Sequence, residues 1–246
     1  MFKTKLIPAA VAATLLAGGT QAVQADDDGF QFSGNVALVS DYRFRGISQS
    51  DEEFAVQGGF DAEFGPGFYI GTWGSSVDFD TNEPGTADGS LELDYYGGWA
   101  STIGDTDFGI DVGYIYYDYP GDDGGVGDYQ EFYIGTSWKD LSLQVNYSDD
   151  YYAETGDFWY ISGGYSFTLL EDFTIDLHVG YNMLEEGEGF LSSDEDEYTD
   201  YSVTVTYSWA GLDWSLAYVG TDLDEDDVFD TDWADDTAVF SVAKSL

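Results

Sequence analysis

The sequence predicts an all-β fold, a transmembrane antiparallel β-barrel of about twelve strands that follows a cleaved signal peptide. Three observations carry that expectation. Apolar and polar residues alternate along run after run of the chain, the connections between runs are by turns short and long, and the opening residues read as an export signal.

The export signal comes first. Lys3 and Lys5 precede an apolar core from Leu6 to Leu16, and a polar stretch then ends in Val23-Gln24-Ala25, the pattern of a secretory signal cut before Asp26. Gly18 and Gly19 interrupt the core well short of the roughly 20 apolar residues that a spanning helix needs. The expected division is therefore residues 1–25 as signal and residues 26–246 as one barrel. Past the signal no stretch is continuously apolar, so a mature chain that crosses a bilayer must do so as strands.

The strands follow in order. Phe32, Val36, Leu38, Tyr42 and Phe44 fall on one face of a first strand, with Ser33, Asn35, Asp41, Arg43 and Arg45 on the other. A second sets Phe54, Val56, Phe60, Ala62 and Phe64 against Gln57, Asp61 and Glu63, and Phe68–Val77 makes a third. Leu91, Leu93, Tyr95 and Trp99 then oppose Glu92, Asp94 and Tyr96. Alternation continues through Phe108 to Tyr116, Tyr129–Trp138, Leu141 to Tyr147, Trp159–Phe167, Phe173 to Met183, Tyr201 to Trp209, Leu212–Val219 and Ala238–Leu246. Period two is the mark of a strand with unlike faces, and most of these runs approach the ~9–11 residues of a tilted membrane strand.

Short links are expected at Gly65-Pro66-Gly67, Gly104-Asp105-Thr106, Lys139-Asp140, Leu170-Glu171-Asp172 and Ala210-Gly211. Between them lie longer acidic segments at Gly46–Glu53, Asp78–Gly89, Pro120–Asp128, Asp149–Asp157, Glu185–Glu197 and Thr221–Asp236. Short periplasmic turns and long outer loops are the rule for outer-membrane barrels, and an even strand count puts both termini in the periplasm. Aromatics near strand ends, such as Tyr114, Tyr116, Tyr117 and Tyr119 or Trp209 and Trp214, suit the two membrane interfaces. A soluble β-sandwich shares the alternation, but its solvent face would be rich in lysine, whereas the second face here is small and polar.

Composition narrows function. The formal charge is −43, and it becomes −45 once Lys3 and Lys5 leave with the signal; such a chain is unsuited to nucleic acid, which needs a basic surface. Without cysteine neither a disulfide nor a thiolate metal site can form. Nothing implies a cofactor.

Arg43 and Arg45 are two of the four basic residues outside the signal, with Lys139 and Lys244. By parity they face inward beside Asp41, and so do Asp61, Glu63, Glu92, Asp94, Asp111, Glu131, Asp176 and His178. Carboxylates in such numbers favour a wet lumen over a dry core, because an unpaired buried carboxylate is prohibitively costly. Two cations facing many acids create a transverse field that sorts solutes by charge; the same residues can also serve as a salt-bridge network that closes the barrel. His178 lies near Asp176, but no Gly-x-Ser-x-Gly elbow supplies a hydrolase nucleophile. Asp222-Leu223-Asp224-Glu225-Asp226 begins like a calcium loop and then departs from it, with Asp227 where glycine belongs and Trp233 where the bidentate glutamate belongs.

The segment Val39-Ser40-Asp41-Tyr42-Arg43-Phe44-Arg45-Gly46-Ile47-Ser48-Gln49-Ser50-Asp51, followed by Ala55-Val56-Gln57-Gly58-Gly59-Phe60-Asp61, resembles the opening of the TorF family of porin-like proteins, also called the Gcw_chp family. Gly67-Phe68-Tyr69-Ile70-Gly71-Thr72-Trp73, Val77-Asp78-Phe79, Glu92-Leu93-Asp94-Tyr95-Tyr96-Gly97-Gly98 and Tyr116-Tyr117-Asp118-Tyr119-Pro120-Gly121 are similar to it too. These motifs fill the first half of the mature chain. The resemblance implies a bacterial outer-membrane porin-like protein and brings no catalytic residues. The chain ends on Leu246, where outer-membrane proteins often end on phenylalanine.

The expected function is passive diffusion of small hydrophilic solutes or ions through a narrow pore that mildly favours cations. The alternative is a structural or adhesive barrel with a closed lumen and cation-binding acidic loops. Outer-membrane lipid and small solutes are the expected partners; the sequence sets no oligomeric state.

Overall fold

The computed structural model describes residues 29–79, 90–104, 106–121, 126–170, 172–187 and 189–246. The expected signal lies outside them, as do most of the Asp78–Gly89 connection, part of Pro120–Asp128, and Asp105 and Glu171 of two short links.

Twelve strands close into one antiparallel barrel. They are β1 (Phe30–Val39), β4 (Ala55–Phe64), β5 (Phe68–Ser76), β6 (Leu91–Thr102), β7 (Phe108–Asp118), β8 (Tyr129–Trp138), β9 (Leu141–Ser148), β10 (Phe158–Leu170), β11 (Phe173–Met183), β12 (Glu197–Trp209), β13 (Leu212–Thr221) and β14 (Thr237–Ser245). Each pairs with its neighbours in chain order, and β1 closes the ring by pairing with β4 on one side and β14 on the other. The β1–β14 seam runs only from Asn35↔Ser245 to Val39↔Ser241, whereas β1 meets β4 from Phe30↔Phe64 to Val39↔Ala55. Two further short strands, β2 (Arg43–Phe44) and β3 (Ile47–Ser48), form a separate hairpin.

Closure satisfies backbone groups that lipid cannot, and the alternation then decides what each face meets. Val36, Leu38, Val56, Phe60, Ile70, Phe132, Ile134, Leu143, Val179, Val203, Leu216 and Phe240 all stand exposed on the outside. Interface rings cluster at the short-turn rim, where Phe64 stacks on Phe68, Phe108 on Trp138 and Phe173 on Tyr207. Tight turns fit there because Ala210 and Gly211 both take positive φ, 56° and 74°, as a two-residue type I′ hairpin requires.

An arginine in the middle of a lipid-facing strand costs about 2–4 kcal/mol. Leu216→Arg, at a site 57% exposed on β13, should therefore lower the unfolding free energy of liposome-inserted protein by that amount in denaturant titration. No loss would mean that this face does not meet lipid.

One expected strand departs from the structure. The first run was predicted to extend to Phe44 with Tyr42 and Phe44 facing outward, but the wall strand ends at Val39 and both rings are buried inside the barrel. The amide of Ser40 donates to the Phe240 carbonyl at 2.8 Å, and the Ser40 hydroxyl accepts from the Phe240 amide at 2.9 Å. These bonds hold the end of the strand at the wall while the chain beyond it turns into the lumen. The Gly46–Glu53 segment, expected as an outer loop, likewise begins inside.

Candidate functional site in the barrel lumen

The hairpin is built for its place. Arg43 pairs with Ser48 and Phe44 with Ile47 around the tip Arg45-Gly46, whose φ values are 49° and 86°. Both central residues are thus left-handed, as in a type I′ turn, although an arginine in that region is uncommon. Asp41 anchors the base: its carboxylate accepts from Arg43 Nε, from Ser48 Oγ at 2.7 Å and from Ser50 Oγ at 3.3 Å. Arg43 also reaches Glu52 at 2.8 Å and the carbonyls of Gly46, Trp233 and Asp235. It therefore ties the hairpin to the last long loop, and the Ser48 amide adds a bond to the Trp233 carbonyl at 2.8 Å.

The tip reaches across the lumen to the opposite wall. Arg45 Nη2 lies 2.7 and 2.8 Å from the two carboxylate oxygens of Glu131 on β8, and Nη1 donates to the Tyr151 hydroxyl at 3.2 Å. The guanidinium carbon sits 4.2 Å from the ring centre of Tyr160, 4.7 Å from Phe44, 4.8 Å from Phe158 and 5.7 Å from Tyr151. Arg45 is 2% exposed and Glu131 0%. A pair so buried must be matched on both sides. Glu131 accepts also from Asn146 Nδ2 at 2.7 Å and more distantly from the Tyr117 hydroxyl at 3.5 Å. A β-carbon on Gly46 would fall 2.3 Å from Thr221 Cγ2 and 3.1 Å from Asp200 Cβ, so the tip also abuts β12 and β13.

Around this crossing lies an aromatic cluster that fills the loop-side half of the barrel. Tyr42 sits edge-on to Trp73 at 5.5 Å and donates to Glu92 at 2.9 Å. Tyr117 stacks on Tyr129 at 4.3 Å, and Tyr151 on Phe158 at 3.9 Å. Tyr117 and Tyr119, expected at the membrane interface, are instead buried within this cluster.

Toward the short-turn rim the interior opens. Asp61, Glu63, Asp176 and His178 are only partly buried, and Tyr96 donates to Asp61 at 2.6 Å. Asp111 is buried but hydrogen-bonded, accepting from Tyr69 at 2.7 Å. Glu92 and Asp94 lie deeper, fully covered on β6. His178, expected inside near Asp176, does face the lumen, and its Nε2 is 2.9 Å from Asp200 Oδ1 and 2.9 Å from the Tyr160 hydroxyl. Parity along β12 places Asp200 inward, since Tyr201 and Val203 face out, so the alternation of that strand is the signal by which this residue could be found in the sequence. Lys139 and Lys244 sit at the short-turn rim, Lys139 over Trp138 and Lys244 bonded to the Gly211 carbonyl. Among the described residues, Arg43 and Arg45 are therefore the only arginines or lysines inside.

A closed antiparallel barrel, apolar outside and polar with carboxylates inside, has the architecture of the outer-membrane porins. The chain belongs to the Gcw_chp family, described as bacterial proteins of unknown function, whose pattern it matches over residues 23–246. No curated protein sequence matches it. Among solved structures it is similar to the KdgM porin, with a TM-score of 0.53 and 12% identity over 87% of this chain and 97% of that one. The NanC porin is similar at a TM-score of 0.54 and 10% identity, covering 86% and 97% of the two chains. A third similar structure is the KdgM porin in complex with disordered oligogalacturonate, at a TM-score of 0.51 and 11% identity over 87% of this chain and 96% of that one. At such identities the likeness is one of fold.

Proposed function

We propose that this protein is a bacterial outer-membrane channel of the TorF type through which small hydrophilic solutes or ions diffuse passively, mildly favouring cations, with the β2–β3 hairpin as its constriction. The observation that carries this reading is the charge of the interior. Asp61, Glu63, Asp111 and Asp176 line the open half, and Glu92, Asp94 and Asp200 lie above them. The two arginines are already paired, with Asp41 and Glu52 for Arg43 and with Glu131 for Arg45. One carboxylate oxygen of each of Asp94, Asp111 and Asp176 is buried with no hydrogen-bond donor among the described residues, so the wall does not offset their acidity through those atoms. A polyanion such as the oligogalacturonate in the KdgM complex would meet repulsion here, so the solute class differs.

Single-channel recording of the refolded protein in a planar bilayer under a salt gradient tests the proposal. Discrete steps with a cation-favouring reversal potential are expected, and an anion-favouring potential would overturn the charge argument. The second reading, a structural or adhesive barrel, draws support from the hairpin that closes the loop side, with Arg43 held on Asp41. Silence from verified folded protein would select it.

A further inference from the structure

The group enclosing Arg45 is more elaborate than closing a barrel requires. Glu131, Asn146, Tyr151, Phe158 and Tyr160 come from the wall and one loop; only Phe44 comes from the hairpin itself. Each is held without help from Arg45. Asn146 donates to the Glu131 carboxylate at 2.7 Å, Tyr151 stacks on Phe158 at 3.9 Å and 14°, and Tyr129 meets Tyr151 edge-on at 4.6 Å. Ring faces around a buried carboxylate are the recognised means of holding an organic cation by cation–π attraction and charge.

The present occupant fits incompletely. Arg45 Nε is buried with no hydrogen-bond partner among the described residues, and the residue sits at φ 49°, a conformation that is uncommon for a side-chain-bearing residue. The tether adds to the contacts that keep the guanidinium there, because a group on a short connection has a high effective concentration.

We infer that this cage is a recognition site for a guanidinium-bearing organic cation, which Arg45 occupies as a built-in stand-in that an arriving solute displaces. The inference deepens the channel proposal and rests on it for the route of entry. The planar, weakly hydrated guanidinium suits ring faces and a forked carboxylate contact better than a compact ammonium does. A solute that enters the cage takes the place of the hairpin tip, and with it the constriction. Binding and opening are then one event.

The test is Arg45→Ala in the full-length protein, with methylguanidinium as the probe and folding checked by heat-modifiable migration. Arg45→Ala should conduct better than wild type. Methylguanidinium should bring that conductance back toward the wild-type level at a concentration about tenfold below that at which tetramethylammonium acts. In wild type the same addition should raise conductance, at a concentration well above that acting on Arg45→Ala because the tethered Arg45 competes for the cage. A wild type that no concentration opens would overturn the displacement, and Arg45→Ala combined with Glu131→Gln should lose the sensitivity. Equal effects of the two cations on Arg45→Ala, or sensitivity that survives Glu131→Gln, would overturn the inference while the channel reading stands. If neither wild type nor Arg45→Ala conducts, the channel reading falls and thermal unfolding in detergent decides the cage. Methylguanidinium should then raise the midpoint of Arg45→Ala alone, and no rise overturns the site. Arg45→Gln, which keeps side-chain bulk and hydrogen-bonding capacity, takes the place of Arg45→Ala should that variant not fold.

Discussion

Glu131→Leu should make the barrel sensitive to trypsin at Arg43 and Arg45, two sites that are buried in the native protein. Removing one partner of a buried ion pair costs about 3–5 kcal/mol, because the other charge is left in a low-dielectric setting without compensation. A charge in a wall strand would have to bear that cost in place, but Arg45 has an alternative. It stands at the tip of a two-strand hairpin whose own pairing amounts to Arg43↔Ser48 and Phe44↔Ile47, and its guanidinium regains hydration if the hairpin leaves the lumen. The wall, which closes through twelve strands without help from β2 or β3, stays intact. Mass spectrometry of trypsin-treated proteoliposomes should find cuts after Arg43 or Arg45 in Glu131→Leu and none in wild type, together with a conductance several times higher. Persistent protection with unchanged conductance would show that Glu131 does not hold the hairpin.

The same seat can be spoiled from the other side without touching a charge. Gly46 has φ 86°, and a β-carbon there would lie 2.3 Å from Thr221 Cγ2 and 3.2 Å from the Gly220 carbonyl. Thr221 cannot easily swing away, since its hydroxyl donates to the Ala234 carbonyl at 3.0 Å and accepts from the Leu223 amide at 3.1 Å. The left-handed conformation alone costs a non-glycine residue roughly 1–2 kcal/mol, and the overlap adds to that. Gly46→Ala should therefore unseat the tip and raise single-channel conductance several-fold. Adding Thr221→Ser, which removes the obstructing methyl and keeps the hydroxyl, should recover part of the native conductance. If Gly46→Ala alone behaves as wild type, the tip is not packed against β13 as the structure has it.

Much of the wall was legible because one physical rule decides it. Lipid outside and polar groups inside impose period two, so Phe60, Ile134, Val203 and Phe240 announce the outer face and Asp61, Glu92, Asp94 and Glu131 the inner. The same rule misread Asp41 to Arg45. That segment alternates as the strands do, but both faces of a hairpin lodged in a lumen are buried, so Tyr42 and Phe44 look like lipid-facing residues. The tell-tale is chemical. Gly46 stands where the alternation stops, and its φ of 86° lets the chain double back into the lumen at the point where an outer loop is expected. The cage was not legible at all, because Arg45 meets Glu131 at a separation of 86 residues and Tyr151 at 106. No local pattern encodes a contact that exists only once the wall has curved round to bring β8 and β10 opposite β1.

The brevity of the β1–β14 seam carries a consequence for biogenesis. Its two strands are separated by nearly the whole chain, so bringing them together costs more loop entropy than any hairpin in the wall, and contacts of that range form late. The seam returns few backbone bonds for that cost. Until it zips, the nascent sheet has two bare edges, which hydrocarbon cannot solvate and which invite pairing with other chains. Assembly of this protein must therefore be escorted until its last step, and the free margins of β1 and β14 are the natural handles for whatever machinery guides it into the bilayer.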